Sequence, residues 1–307
     1  MTVTLDDVER ARTTIAGAVH RTPILSSHAL GADLKAELFQ KTGSFKARGA
    51  LNRVTALTAE ERRRGVVTWS AGNHAQAVAW ACASAGVDCL VVMSEHASPL
   101  KVEATRGYGA TVDLSPFDAA AAYERVLEIV EREGRLFVHP HDDPWVVAGH
   151  GTVALEIVED VPEVTTVVVG VGGGGLVAGI LVALDGGARV VAVEPVQAAA
   201  FSAGLAAGHS VRVETDTIAD GLAPPFAGEL PLELCRGRVE TVLVSEDEIR
   251  AGMRFLYGRA KLACEPAGAA AAAAVLAGKV EAAPGTVVVV SGGNVVPEQA
   301  AAILAAR

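Results

Sequence analysis

The sequence has few aromatic residues, few cysteines and no run of basic residues, and each shortage argues against a class of protein. Phe, Trp and Tyr make up 4% of the 307 residues, so the core must consist mainly of Ala, Val, Leu and Ile. The four cysteines form no C-x-x-C pair, which favours buried thiols in a reducing cytoplasm over disulfides or a zinc site. The net charge of −10 argues against nucleic acids and anionic membranes as partners.

The sequence also has no good candidate for a membrane span or an export signal. Residues 167–184 carry no charge, but VVV followed by GVGGGG suits a buried strand, a glycine turn and a buried helix better than a membrane helix. The start, MTVTLDDVERARTTI, has no apolar stretch and predicts a helix with Thr4 and Asp7 in capping-box spacing. We therefore expect a cytoplasmic protein without a nucleic-acid or membrane partner.

Strand-like and helix-like segments alternate along most of the chain. The first series has strands at 66–69, 88–93, 110–114 and 136–138, and helices at 73–85, 98–108 and 118–133. The second has helices at 151–160, 176–184, 245–261 and 268–276, and strands at 165–170, 189–193, 241–244 and 286–290. This pattern predicts an α/β fold of two domains, each with a mostly parallel sheet flanked by helices. The hinge is expected near 140–144, between a large domain (1–64 and 142–307) and a small one (65–141).

Two segments offer an amine and an anion site. Lys46, in KTGSFK, follows Phe45 and could lie against a cofactor with its amine desolvated and its pKa lowered, as Schiff-base chemistry requires. Taken alone, such a lysine is more often a solvated surface charge. Ser70–His74 comes after a predicted strand and before a helix, where backbone N–H groups can bind a carboxylate. Taken alone, that segment is better explained as a simple strand-to-helix turn.

Two further segments follow predicted strands. Gly170–Gly175 leaves its backbone amides unshielded before a helix, which suits a phosphate. The same segment satisfies G-x-G-x-x-G, and Glu194 ends the next strand where a ribose-binding acid would stand, so a dinucleotide site is an equal alternative here. Ser291 could meet a ring nitrogen or close a glycine turn. Together the four segments supply an amine, a carboxylate site, a phosphate cradle and a neutral ring partner, which fits pyridoxal phosphate.

Five segments resemble the fold-type-II serine/threonine dehydratase family, which also contains the serine racemases. They are ELFQKTGSFKARGALN, SAGNHAQAVA, GVGGGGLVAGI, TIADGL and VVSGGN. The likeness runs from about Arg21 to Asn294 in the family's order. It implies the tryptophan synthase β-like fold, a small domain that is mobile, and a homodimer or higher homo-oligomer.

The resemblance also implies roles for individual residues. Lys46 matches the catalytic lysine that carries pyridoxal phosphate, and Phe45 packs beside the ring. Asn73 matches the partner of the ring hydroxyl and Ser291 that of the ring nitrogen, whereas Glu265 is an acid near the cofactor without a firm role. The cofactor-binding set is Phe45, Lys46, Asn73, Gly172, Gly173, Gly174, Gly175, Leu176, Glu265, Ser291 and Gly292. The substrate-binding set is Ser70, Ala71, Gly72, Asn73 and His74.

One departure from the family bears on the reaction. Ala71 stands where the racemases carry a serine as second acid/base, and alanine has no proton to move. The resemblance therefore implies β-elimination of L-threonine or L-serine to a 2-oxo acid and ammonia. Serine racemase and hydroxyaspartate dehydratase stay as alternatives, and an NAD-dependent oxidoreductase as a remote one. Because the chain ends soon after SGGN, we expect no inhibition through an appended regulatory domain.

The family's cation site is incomplete in this sequence. Glu194 is present and Ala198 could offer a carbonyl, but the later carboxylate position is Ala200, and hard cations prefer several oxygen ligands. The sequence therefore does not predict a tight divalent or monovalent cation site. His139–Asp143 is expected to line the active site or to make hinge contacts rather than to bind a metal. His150 stands in AGHGT where glutamine is common.

Overall fold

The computed structural model describes residues 2–305, which form helices and strands in regular alternation. The helices are α1 (Leu5–Ile15), α2 (Lys46–Thr55), α3 (Ala59–Arg64), α4 (Asn73–Ala85), α5 (Pro99–Gly107), α6 (Ala119–Glu133), α7 (Pro144–Asp160), α8 (Gly175–Leu184), α9 (Ala200–Ala207), α10 (Glu229–Cys235), α11 (Glu246–Phe255), α12 (Pro266–Leu276) and α13 (Pro297–Ala305). The strands are β1 (Ile24–Ser27), β2 (Ala32–Lys35), β3 (Val66–Trp69), β4 (Cys89–Val92), β5 (Thr111–Asp113), β6 (Leu136–Phe137), β7 (Thr166–Gly170), β8 (Arg189–Pro195), β9 (Glu240–Val244) and β10 (Thr286–Val289).

The strands form two separate sheets. The larger has the order β1-β2-β10-β7-β8-β9, and its neighbours are parallel except for the β1–β2 hairpin. The smaller is fully parallel, in the order β5-β4-β3-β6. The predicted fold class is thus confirmed. The uncharged run at 167–184 is strand, turn and helix, and none of the described helices is long and apolar enough to cross a bilayer.

The sequence placed every strand of the two alternating series to within two residues at each end, but missed the β1–β2 hairpin. Short polar strands such as ILSS carry little periodic signal, and β1 is the edge strand of its sheet. The helix predicted for 245–261 ends at Phe255 and continues as a wider π-helical turn over Leu256–Ala260. The capping box of Thr4 and Asp7 is confirmed at the start of α1.

Helix α7 begins at Pro144, seven residues before the predicted start at 151. The Asp143 side chain accepts from the backbone N–H groups of Trp145 and Val146, and proline suits the first helical position. Gly149 and Gly151 weakened the prediction because glycine disfavours helix interiors. Tertiary packing explains both glycines. A Cβ on Gly149 would lie 2.7 Å from the backbone of α2, and one on Gly151 would lie 2.7 Å from the Gly179 carbonyl in α8.

Alanine, valine and leucine dominate the buried core, as the shortage of aromatics predicted. One cluster lies on each face of the larger sheet, and a third joins α2 to the smaller sheet. In that third cluster Leu51 and Val54 of α2 pack with Val66 and Val91. Helix α2 packs against α4 of the smaller sheet's series and against α7 of the larger sheet's series, and the division into domains at 64/65 and 141/142 stays a prediction.

Candidate active site

A cavity of about 450 Å³ opens where the carboxyl ends of strands from both sheets meet. It lies after β3 at Ser70, after β6 at Pro140, at the end of β7 at Gly170, and after β10 at Ser291. The predicted residues that line it are Phe45, Lys46, Ser70, Ala71, Gly72, Asn73, His74, Gly172, Gly173, Gly174, Gly175, Leu176, Glu265 and Ser291. The fold therefore gathers four segments that are far apart in the chain into one place.

Lys46 is the first residue of α2, and its amine points to the connection that follows β6. The Nζ atom donates a hydrogen bond to the Pro140 carbonyl over 2.7 Å and lies 5.1 Å from the centre of the Phe45 ring. Burial lowers the pKa of Lys46 to about 7. A large fraction of the amine is therefore neutral and nucleophilic at neutral pH, as the sequence analysis required.

The glycine loop lies across the cavity, and the surrounding atoms leave no room for side chains. A Cβ on Gly172 would lie 2.9 Å from the Pro224 ring, and one on Gly173 would overlap the His141 ring. Gly174 has a φ of +95°, which favours glycine. Helix α8 begins at Gly175, so its first N–H groups face the loop and can receive a phosphate. These crowded, unshielded amides fit the phosphate of pyridoxal phosphate.

Asn73, the first residue of α4, is held by a chain of side-chain hydrogen bonds. Asn294 Nδ2 donates to Asn73 Oδ1 over 2.7 Å, and Asn73 Nδ2 donates to Glu265 Oε1 over 2.6 Å. Burial, together with the nearby Asp220 carboxylate, raises the pKa of Glu265 to about 8. Glu265 is thus largely protonated at neutral pH and presents a neutral carboxyl to the cavity.

Three predicted residues do not line the cavity. Gly292 stands beside it, since its carbonyl accepts from the Glu265 backbone N–H over 3.1 Å and it bridges to Ser44. Ala198 is buried in a short 3-10 turn after β8. Glu194, also buried, caps α9: its carboxylate accepts from the backbone N–H groups of Phe201 and Ser202 over 2.7 and 2.8 Å.

The contacts of Glu194 bear on two of the sequence hypotheses. Burial raises its pKa to about 7, although the N–H groups at the start of α9 and the Ser202 hydroxyl stabilise the charged form. A carboxylate occupied in this way is not presented to a ribose. Within residues 2–305 no group of three His, Cys, Asp or Glu side chains is arranged to hold a metal ion.

The cavity has further walls that sequence reasoning did not assign. Lys101 of α5 and Asp220 form an ion pair that lines the cavity. Lys101 follows a strand of the smaller sheet, and Asp220 lies between two strands of the larger sheet. Asp220 belongs to the TIADGL segment, so the resemblance marked its position without a role. His96 and His141 also line the cavity. The lining role expected for 139–143 is confirmed for His141, while Asp142 accepts a hydrogen bond from the Leu230 backbone N–H over 2.9 Å.

Comparison with known proteins agrees with this geometry. A model of the family described as "Pyridoxal-phosphate dependent enzyme" matches residues 15–293. An L-threonine ammonia-lyase of Thermotoga maritima is 45% identical over 278 residues, covering 87% of this chain and 69% of the relative. A catabolic L-threonine dehydratase of Escherichia coli is 43% identical over 290 residues, covering 91% and 88%. The crystal structure of a serine racemase from Dictyostelium discoideum superposes with a TM-score of 0.89 at 36% identity, covering 96% of this chain and all of that one.

The fold and the cavity define a pyridoxal-phosphate enzyme of the two-sheet type. The chain belongs to the pyridoxal-phosphate dependent enzyme family. The family match over residues 15–293 and the engagement of Glu194 with α9 both argue against the dinucleotide alternative drawn from G-x-G-x-x-G.

Proposed function

We propose that the protein is an L-threonine/L-serine ammonia-lyase in which Lys46 carries pyridoxal phosphate. The proposal rests on one observation: the Lys46 amine and the Gly172–Gly175 loop line the same cavity. The pKa of that amine is about 7. The two curated relatives named above support the reaction class.

The bound cofactor withdraws electrons from the amino acid's Cα and so acidifies the proton there. Lys46 Nζ, freed when the substrate amine takes its place on the cofactor, removes that proton, and a pKa near 7 suits an amine that works as a base at neutral pH. The hydroxyl then leaves Cβ with a proton as water. Hydrolysis of the released enamine takes up one water, so the net products are a 2-oxo acid and ammonia.

Residues of the chain hold the remaining groups. The backbone N–H groups of 70–74 at the start of α4 receive the substrate carboxylate. Ser291 would meet the ring nitrogen as a neutral partner, Asn73 would meet the ring hydroxyl, and Phe45 would pack beside the ring. The N–H groups of the glycine loop and of α8 would hold the phosphate.

Serine racemase is the second candidate, because a racemase shares the fold with a TM-score of 0.89. Ala71 argues against it, since this exposed residue at the cavity has no group that could return a proton to the opposite face. Hydroxyaspartate dehydratase would need a cation for a second carboxylate. Among the described cavity residues there is no arginine, and the Lys101 amine is paired with Asp220.

Two measurements test the proposal. Borohydride reduction of the purified protein followed by peptide mapping should find the pyridoxyl group on Lys46; a label on another lysine contradicts the assignment. Release of 2-oxo acid should then be measured from L- and D-serine, L-threonine and hydroxyaspartate. We expect L-threonine and L-serine to give the highest kcat/KM. Faster formation of D-serine than of pyruvate, or preference for hydroxyaspartate, would favour the alternatives.

We further propose a cytoplasmic homodimer with a mobile small domain at 65–141. The four cysteines, all buried and free, support a reducing compartment. Sedimentation of the purified protein tests the subunit number, and a monomer would contradict it. We expect no cation dependence through Glu194 and Ala198, and a rate unchanged by chelator tests this.

A further inference from the structure

Four imidazoles lie close enough to Lys46 for its charge to act on them. His141 packs against Gly173 and Gly175, and its ring centre lies 4.6 Å from that of His139. His150, on α7, meets the Phe45 ring edge-on at 4.7 Å between centres. His74 Nε2 donates to the Val138 carbonyl over 3.1 Å. Buried imidazoles are thus grouped around Lys46, and His141 packs directly on the loop that the proposed function assigns to a phosphate.

Several ring nitrogens in this group lack protein partners. In the described part of the chain, both nitrogens of His150, Nε2 of His141 and Nδ1 of His74 are buried without a hydrogen bond. His150 is fully buried and His141 is 4% exposed. An unsatisfied buried polar atom costs free energy, so each such atom calls for an explanation. Water or a bound anion supplies one.

The groups that act most directly on His141 and His150 are basic. They are Lys46 and Arg48 of α2, His74 of α4, and His139 in the connection after β6. Arg48 is itself paired with the Glu37 and Glu156 carboxylates, whereas the Lys46 amine donates to a carbonyl. Burial, followed by these basic neighbours, holds the pKa of both imidazoles well below the ordinary value, although the Gly175 backbone acts in the opposite direction on His150, so both are neutral without an anion.

We propose that His141 and His150 together take up one proton when the cofactor's phosphate binds to the glycine loop. The phosphate is the missing counter-charge of the cluster, and a dianion beside a buried imidazole favours the protonated ring. The two histidines are therefore positioning residues that fix the charge of the phosphate site. The inference rests on the proposed cofactor site at Lys46 and Gly172–Gly175.

The linkage between proton uptake and phosphate binding gives the direction in which phosphate affinity changes with pH. If the complex holds one proton more than its separated parts, binding weakens as pH rises, by about tenfold per pH unit where uptake is complete. At pH 8 and above most free inorganic phosphate is already the dianion, so it brings almost no proton of its own. Without the uptake, affinity between pH 8 and 9 should be nearly flat.

The experiment measures proton uptake by titration calorimetry at pH 8 in Hepes and in Tris, whose ionisation enthalpies differ. Inorganic phosphate is titrated into the full chain freed of cofactor, so that no bond to Lys46 forms. We expect uptake close to one proton in the wild type and in Lys46→Ala. Loss of the uptake in Lys46→Ala would assign the proton to the amine and overturn the proposal.

Two single variants and their combination locate the proton. His150→Gln and His141→Gln should each lower the uptake, and the double variant should abolish it and flatten the pH dependence of phosphate affinity. His209→Gln, at an exposed histidine, serves as the control. Uptake unchanged in the double variant would overturn the proposal. Should a variant misfold, the wild type labelled with ¹⁵N-histidine is titrated with pH, with and without phosphate, and the imidazole signals are followed. If phosphate does not move the titration midpoint of either the His141 or the His150 signal, the proposal is refuted.

The same samples separate this inference from the proposed function. Holoenzyme that yields pyridoxyl-Lys46 after borohydride but shows no proton uptake refutes only the histidine proposal. Pyridoxal without a phosphate should bind without the histidine-dependent uptake. Equal uptake for pyridoxal would place the proton elsewhere than at the phosphate site.

Discussion

Lys46 and Arg48 stand two residues apart on α2, yet their side chains meet opposite electrostatic surroundings. The Arg48 guanidinium donates to both oxygens of Glu37 over 2.8 and 2.9 Å, and to both oxygens of Glu156 over 2.7 and 2.9 Å. Lys35 adds a second cation, with its amine 2.6 Å from Glu156. Two cations thus face two carboxylates in a buried network.

The pKa values follow the two environments. Burial alone would lower the pKa of Arg48, but the Glu37 and Glu156 carboxylates more than offset it and raise that pKa. Burial lowers the pKa of Lys46 to about 7, and its hydrogen-bond partner is a carbonyl. Helix α2 therefore carries Arg48, whose charge is balanced by carboxylates in a buried network that stabilises the fold. It also carries Lys46, whose buried amine is bonded to a carbonyl and can act as a nucleophile or base.

The largest effect is expected from Lys46→Ala. Turnover should fall by more than about 10³-fold, the scale on which loss of a nucleophile or base acts in other enzymes. Because no carboxylate depends on Lys46 for its charge, the free energy of unfolding should change by about 1 kcal/mol or less. Oxo-acid release and urea denaturation test the two parts, with Lys279→Ala as the exposed control. A variant that keeps full turnover contradicts the site.

Arg48→Met should act on stability. The substitution leaves Glu37, which is fully buried, without its cation, and breaking a buried pair in this way costs about 3–5 kcal/mol. Denaturation of the cofactor-free protein measures the loss. A loss below about 1 kcal/mol would mean that the buried network of Arg48 with Glu37 and Glu156 does not stabilise the fold.

Glu265→Gln should change how stability depends on pH. The folded-state pKa of Glu265 is raised from 4.5 to about 8, so the folded state keeps a proton that the unfolded chain has lost. The free energy of unfolding therefore falls as pH rises from 4.5 to 8, by up to about 1.4 kcal/mol per pH unit. The variant should reduce that slope, while Glu281→Gln, at an exposed position, should keep it. An unchanged slope in Glu265→Gln would argue against a protonated carboxyl.

The smallest effect is expected for an exposed pair. Arg189 lies 2.6 Å from Glu240, with about half of each side chain exposed to solvent. Solvent screens such pairs, so Arg189→Ala should cost less than about 1 kcal/mol. Thermal unfolding checks this value. A cost equal to that of Arg48→Met would show that burial does not separate the two kinds of pair.

The sequence revealed the fold through its strands, because buried parallel strands are continuous apolar runs such as TVVVG and TVVV. It revealed the cavity residues through motifs at strand ends. It did not reveal what Glu194 does, since capping α9 depends on where the chain after β8 turns back. Neither could spacing show that Lys101 of one segment meets Asp220 of another, because tertiary structure alone joins residues 119 positions apart.

The backbone of α2 lies in direct contact with the backbone of α7, and this contact restricts which substitutions the two helices tolerate. Gly49 and Gly149 meet where a Cβ on Gly149 would lie 2.7 Å from the Gly49 Cα atom. A single methyl group there would wedge apart the two helices and tilt the one that carries Lys46. Substitutions at these two glycines would therefore disturb the chemistry at Lys46 without replacing any residue that lines the cavity.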